Sequence, residues 1–555
     1  MAGGWHARAT ADRVTTLSGG ALLPNALAVP ARDAKEITRR RLTECTVARY
    51  YWVAREPPMP THERVQTGVP GLDQIVGGGL PEKALYLLKG DPGTGKTTMG
   101  LQFLVEGARR GEKCLYLCLA ETRGQLTGIA KAYGWTLDGV EVHEMRRRGS
   151  SAADASREGY TVFSPSEVEL EEISRELLQE VETVKPTRLV LDSLSEIRLL
   201  AEDPSRYRQE LLALSDRIAA YPCTGWLIDV ETEGSEARVA ETLVSGVVHL
   251  EHLSPAYGGA RRRLQVRKLR GSKSIGGYHD FVIGDRGVEV YPRLVAAEYR
   301  TAHSSAAMAS GMRELDAQLG GGLDGGTSTA LIGAAGTGKS TVAAQFVAAA
   351  AGRGERGVIF CFDESPTNLL IRTSSLGIPL AEHVKAGKVH LLPIDPAEFT
   401  PGELAHMIRA QVGAGARMVV IDSINGYLNA LPEERFLAAH LHELLAFLSE
   451  SGVATILTLA QHGFFGAVPD APVNISYVAD TVVLIQYFEA AGEVKQAISV
   501  VKKRTGRHER SIRELRFEMD GLRVGPPLED VRGVLSGNPV YLSDAPDGGR
   551  GEPPK

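Results

Sequence analysis

The 555-residue chain lacks any run near the ~18 consecutive apolar residues of a membrane-crossing helix, which argues against a membrane protein of that kind. Cysteine is scarce: five residues make no disulfide framework and point to a reducing, cytoplasmic setting. Cys114 and Cys118 lie four apart in a strand-like run, so both face one way and read as small buried hydrophobes rather than metal or redox groups. Positive charge is not in excess. A net charge of −6 argues against a protein that coats nucleic acid wholesale, a local basic patch aside, and no segment offers the aromatic series that stacks single-stranded bases. No basic-then-apolar signal opens the chain. Residues 1–60 show no clear periodic pattern, and Met59 stands just before the first recognisable module. They are expected to be a poorly ordered extension or the product of an upstream start; an Arg-containing, acid-poor transit peptide is the weaker reading.

What the chain has is ordinary globular material, used twice. A hydrophobic fraction of 43% and a charged fraction of 23% allow large cores, and the length implies several domains. Residues 66–98 read QTGVPGLDQIVGGGLPEKALYLLKGDPGTGKTT and residues 309–341 read ASGMRELDAQLGGGLDGGTSTALIGAAGTGKST. Leu72-Asp73, Gly77-Gly78-Gly79-Leu80 and Lys96 recur as Leu315-Asp316, Gly320-Gly321-Gly322-Leu323 and Lys339, all at one offset (339 − 96 = 243). Asp192 and Arg270 recur as Asp422 and Arg504 at slightly shorter offsets. An offset that drifts only through loop changes marks a duplicated domain. Each copy alternates apolar runs with longer helical patterns: ALYLLKG, KCLYLCLA, RLVLDS and GWLIDVE, then TALIGA, GVIFCFD, MVVIDS and VATILTL. The expected fold class is α/β, two tandem domains of mainly parallel sheet flanked by helices. The expected limits are 61–300 and 301–532, with a seam near 293–308 and a flexible tail over 533–555.

Two phosphate cradles carry the chemistry. Gly90-Asp91-Pro92-Gly93-Thr94-Gly95-Lys96-Thr97 and Gly333-Ala334-Ala335-Gly336-Thr337-Gly338-Lys339-Ser340 both fit G-x-x-x-x-G-K-[ST]. The glycines let successive N–H groups point at phosphate oxygens, and the following helix adds its positive end. Lys96 and Lys339 are expected to reach the β- and γ-phosphates of ATP, and Thr97 and Ser340 to offer a hydroxyl to Mg²⁺. Asp192 and Asp422 each end an apolar strand pattern, at the edge where a carboxylate can hold a hydrated Mg²⁺. Glu121 and Glu364 follow the second strand of each copy, placed to orient an attacking water or hydroxyl or, in the blander reading, to sit solvated in a loop. The residue before them is Ala120 in one copy and Asp363 in the other, which leaves one working carboxylate in the first site and a pair in the second.

The run Arg261-Arg262-Arg263-Leu264-Gln265-Val266-Arg267-Lys268-Leu269-Arg270 is dense in positive charge, and Lys502-Lys503-Arg504 is its counterpart. It fits a charged edge strand that resists aggregation, a contact to nucleic-acid phosphates, or a basic finger reaching ATP on a neighbouring subunit. Recurrence of the K-x-R triplet amid otherwise divergent residues favours the third.

Together, the Gly-Gly-Gly-Leu lead-in, the P-loop, the Glu after the second strand, Asp-Ser after the third and the K-x-R strand resemble the KaiC family of RecA-like ATPases, over about residues 61–535. The resemblance implies double-layered hexameric rings with ATP at subunit interfaces. It also implies slow hydrolysis in the first layer and Ser/Thr autophosphorylation in the second. In it Lys268 and Arg270, and Lys502 and Arg504, match the family's trans-acting basic strands. Ser476, in Asn474-Ile475-Ser476-Tyr477, matches a phosphoacceptor, while Tyr477 stands where a second Ser or Thr is usual. Ala120-Glu121 and Asp363-Glu364 depart from the usual glutamate pair, which favours the second site for phosphoryl transfer. The expected role is signalling or regulation with protein partners. Two rivals are a RecA-like DNA motor, with DNA-stimulated hydrolysis, and a nucleotide-gated scaffold with little turnover.

Overall fold

The computed structural model describes residues 63–145, 165–231, 237–254, 258–299, 306–429, 437–461, 478–490, 492–534 and 540–541. The expected extension over 1–60 therefore lies wholly outside the described residues, as does Ser476.

The first nine-stranded sheet is built from β1 (Leu85–Gly90), β2 (Cys114–Cys118), β3 (Val140–Glu144), β4 (Arg188–Asp192), β5 (Thr224–Val230), β6 (Gly246–Leu253), β7 (Arg261–Leu269), β8 (His279–Gly284) and β9 (Gly287–Tyr291). Its order is β9-β8-β7-β6-β1-β5-β4-β2-β3. The six strands from β6 to β3 pair in parallel, and β7, β8 and β9 extend one edge as an antiparallel meander. Helices α1 (Lys96–Arg109) and α2 (Arg123–Ala132) follow β1 and β2.

The second sheet repeats this with β10 (Ser328–Ala334), β11 (Arg356–Cys361), β12 (Val389–Pro393), β13 (Ala416–Asp422), β14 (Ala454–Gln461), β15 (Thr481–Ala490), β16 (Glu493–Lys503), β17 (Arg513–Glu518) and β18 (Gly521–Pro527), in the order β18-β17-β16-β15-β10-β14-β13-β11-β12. Strand for strand this is the topology of the first sheet. Helices α3 (Lys339–Gly352), α4 (Pro366–Ser375) and α5 (Pro401–Gly413) belong to this copy.

Parallel strands buried on both faces must be apolar throughout, and β1 is: Leu85 and Leu87 enter one core while Tyr86 and Leu88 enter the opposite one. In β4, Leu189 and Leu191 likewise face one core and Val190 the other. Cys114 and Cys118 are free thiols buried in a single core with Tyr116 between them, as the alternation predicts. Within the stretch expected as a tail, Val534 is buried with Phe488, and Val540–Tyr541 pairs antiparallel with Val531–Arg532. The two sheets are joined by direct contacts: Gly402 N, in the first turn of α5, donates to Asp280 Oδ2 of β8 at 2.7 Å, and the Tyr291 and His406 rings lie 5.4 Å apart. No helix among the described residues is long and apolar enough to cross a membrane.

Candidate functional site

Each phosphate cradle sits at the C-terminal edge of the central strand, where parallel α/β sheets bind ligands. β1 ends at Gly90 and β10 runs to Ala334, and helices α1 and α3 begin at Lys96 and Lys339. The turn requires glycine. Gly95 and Gly338 have φ of 99° and 97°, and a Cβ on Gly338 would stand 2.1 Å from Phe517 Cζ. Thr94 and Thr337, both fully buried, brace the loops by donating to Asp91 O at 2.8 Å and to Ala334 O at 2.9 Å. Asp91, Pro92 and Gly93, and Ala335 and Gly336, line the open side of the loops.

The lysines fold back over their own loops. Lys96 Nζ donates to Gly90 O and Asp91 O, both at 2.8 Å, and Lys339 Nζ to Gly333 O at 2.9 Å and Ala334 O at 2.7 Å. Burial pushes both ammonium groups down, against the pull of Asp192 at the first and of Asp422 and Asp363 at the second; Lys339 reaches about 8. Phosphate binds the charged form. Above about pH 8 a nucleotide bound at the second site must bring a proton with it, so affinity there is expected to fall with rising pH. In a Lys96→Ala variant, ATP binding should weaken roughly 20-fold between pH 7.5 and 9.5. An equilibrium titration with a fluorescent nucleotide measures it, and a flat profile contradicts it.

The carboxylates at the strand ends meet the P-loop hydroxyls directly. Thr97 Oγ1 donates to Asp192 Oδ2 at 2.9 Å, and Ser340 Oγ to Asp422 Oδ1 at 2.9 Å. A second hydroxyl supports each carboxylate, from opposite sides. Tyr116 OH, on neighbouring strand β2, donates to Asp192 Oδ2 at 2.7 Å, whereas Thr458 Oγ1, on neighbouring strand β14, donates to Asp422 Oδ1. Sequence reasoning missed both. Tyr116 was accessible in principle as the residue between Cys114 and Cys118 on one strand face, but its aim at Asp192 depends on the pairing of β2 with β4. A hydroxyl and a carboxylate at a cradle's mouth form a hard oxygen donor set that fits Mg²⁺.

The acids after the second strand are held differently in the two copies. Glu121 lies 3.5 Å from Thr97 Oγ1, and its Oε2 is buried with no hydrogen-bond partner among the described residues. Burial, then the nearby Asp192 charge, raises its proton affinity. A carboxylate with an oxygen not engaged by protein groups keeps its capacity to accept from a water. In the second copy Asp363 accepts from Ser423 Oγ, and Arg372 of α4 grips Glu364, Nη1 at 2.9 Å from Oε1 and Nη2 at 2.8 Å from Oε2. The expected pair of working carboxylates is thus engaged with protein groups on both members.

The basic residues are not at their own cradle. Gly90 pairs with Leu250 on β6, but Lys268 pairs with Val247, three residues back along that strand, or about 10 Å. Lys268 Nζ donates there to Glu241 O at 2.6 Å and Arg270 to Thr242 O at 3.3 Å. In the second copy Lys502 pairs with Val482 at the start of β15, its Nζ donating to Ala479 O at 2.6 Å, and Arg504 Nη1 stands 3.4 Å from Asp480 Oδ1.

A family model described as "ATPase: KaiC" matches residues 65–295 and again 308–529. The chain belongs to the KaiC family of ATPases. Among its curated relatives, the Circadian clock protein KaiC3 of Synechocystis sp. is 27% identical over 491 residues, covering 87% of this chain and 96% of the relative. The Circadian clock oscillator protein KaiC of Parathermosynechococcus lividus is 28% identical, covering 86% and 88%, and that of Synechococcus elongatus 26%, covering 86% and 92%. The two nine-stranded sheets are the two tandem KaiC domains, and as a member of this ATPase family the chain binds ATP.

Proposed function

We propose that this KaiC-family ATPase assembles with copies of itself, as a hexamer, into a two-layered ring with Mg²⁺-ATP at the subunit interfaces. Thr97 with Asp192, and Ser340 with Asp422, hold the metal ion. Glu121 orients the water that hydrolyses ATP in the first layer, and Asp363 or Glu364 assists transfer of the γ-phosphate to Ser476 in the second. Lys268 and Arg270 complete the first site of a neighbouring copy, and Lys502 and Arg504 the second. The observation that carries this reading is the place of those basic residues, at the sheet edge opposite their own cradle. Charge kept at that edge in both copies serves a nucleotide only if the nucleotide belongs to another subunit. The relatives are named as clock proteins, and on that ground we assign the turnover to signalling or regulation with protein partners in the cytoplasm.

Incubation with γ-labelled ATP followed by peptide mapping tests the kinase step. Label is expected on Ser476 and absent in Ser476→Ala. Hydrolysis that continues without label on Ser476 leaves an ATPase and removes the autokinase.

A further inference from the structure

The second-strand acids are followed by matching helices. α2 starts after Thr122 and α4 after Ser365, each N-cap side chain accepting from the third residue on, Gln125 N and Asn368 N. Seven residues after these caps the first copy has Ile129 and the second Arg372. That one difference decides what the neighbouring glutamate can do. Ile129 packs against the apolar core and leaves the Glu121 carboxylate to the cradle. Arg372 reaches back along its helix to Glu364: its Nη1 donates to Oε1 at 2.9 Å, and its Nη2 stands in ion-pair contact with Oε2 at 2.8 Å without a hydrogen bond.

Hydrolysis makes a simple demand. The water oxygen bonds to the γ-phosphorus as the bond from that phosphorus to the β,γ-bridging oxygen breaks. ADP leaves with the bridging oxygen, and the proton of the water passes to the acid that orients it, then to solvent. A carboxylate already hydrogen-bonded to and ion-paired with a guanidinium is a poorer acceptor for that water, and the positive charge makes it a weaker base than it would otherwise be. We infer that Arg372 is a positioning residue that withholds Glu364 from water, so that the second site keeps its ATP for transfer where the first site hydrolyses it. The inference rests on the reading of Glu121 and Glu364 as water-orienting acids. Burial lifts the proton affinity of Glu364, with the Asp422 charge adding to it, so that it stands above the ordinary carboxylate range; Arg372 offsets part of that rise.

The experiment is a double-mutant cycle in a Glu121→Gln background, in which hydrolysis reports the second site. Arg372→Ile, which installs the residue of the first copy, is expected to raise turnover about tenfold, a part of the roughly hundredfold or more that a fully positioned base contributes. The acid limb of its pH–rate profile should move to higher pH, because the charge that held the Glu364 proton affinity down is gone. Added to Glu364→Gln, the same change should give no increase. Arg372→Gln repeats the measurement if isoleucine disturbs the fold. No gain with nucleotide binding intact, while Glu364→Gln still lowers the rate, overturns the latch and leaves the role of Glu364 standing. A gain that is the same with or without Glu364 overturns both.

Discussion

Arg504→Ala is expected to lower second-site ATP turnover by about a thousandfold, the smaller end of what a cationic finger contributes. Arg504 lies 48% exposed beside Asp480, at the sheet edge away from Gly333 and Lys339, so its removal takes nothing from the cradle of its own chain. ATP binding to the isolated loop should persist while turnover collapses. The decisive arm is mixing. Lys339→Ala subunits lack a working second cradle but keep Arg504; Arg504→Ala subunits have the reverse. Random co-assembly makes about one interface in four fully equipped, whatever the ring size, so two dead variants mixed in equal amounts should regain about a quarter of the native rate. Both are made in Glu121→Gln to silence the first site, and steady-state phosphate release is the readout. A mixture as inactive as its parts would show that Arg504 does not act across an interface.

The second large effect concerns the lysines. Lys339→Ala should cut second-site turnover by about a hundredfold or more, as expected when a charge aimed at the transferring phosphoryl group is removed. It should also halve the nucleotide bound per chain, and Lys96→Ala should do the same from the other side. Both ammonium groups are buried and bonded only to loop carbonyls in the described structure, so each is poised to exchange those bonds for phosphate oxygens. Equilibrium dialysis with ATP, followed by rate measurement on each variant, separates the two sites. Loss of both nucleotides from either single variant would mean that the cradles fill only together.

Much of this site was legible in the sequence, for a physical reason. A phosphate loop is a local object: glycines at fixed spacing permit the positive φ of Gly95 and Gly338, and the lysine and hydroxyl follow at set distances on the next helix. Asp192 and Asp422 were readable because an apolar strand ending in an acid is equally local. The supporting hydroxyls were not readable. Tyr116 and Thr458 reach equivalent aspartates from opposite neighbouring strands, so no shared spacing connects them to the carboxylates they serve. No local spacing connects Arg372 to Glu364 either, since the two lie eight residues apart across the start of a helix.

The balance between the two sites shows the same limit. Counting acids, Ala120-Glu121 against Asp363-Glu364, made the second site look better equipped. The structure gives those acids partners: Ser423 for Asp363, Arg372 for Glu364, and none among the described residues for the buried oxygen of Glu121. A residue count measures how much carboxylate is present, whereas catalysis depends on how much is unengaged and facing the phosphate.

By itself the sequence determined the duplication, the α/β class, both phosphate cradles and the carboxylate beside each, because all are written in short-range backbone freedom and strand alternation. Only the tertiary structure decided that the basic strands stand at the far edge from their own cradles and that the two glutamates differ in availability. The first depends on the chain reversing between β6 and β7 and between β15 and β16. The second depends on how α4 docks its Arg372 against the strand end before it. Both are matters of register and packing between distant segments, which no local pattern encodes.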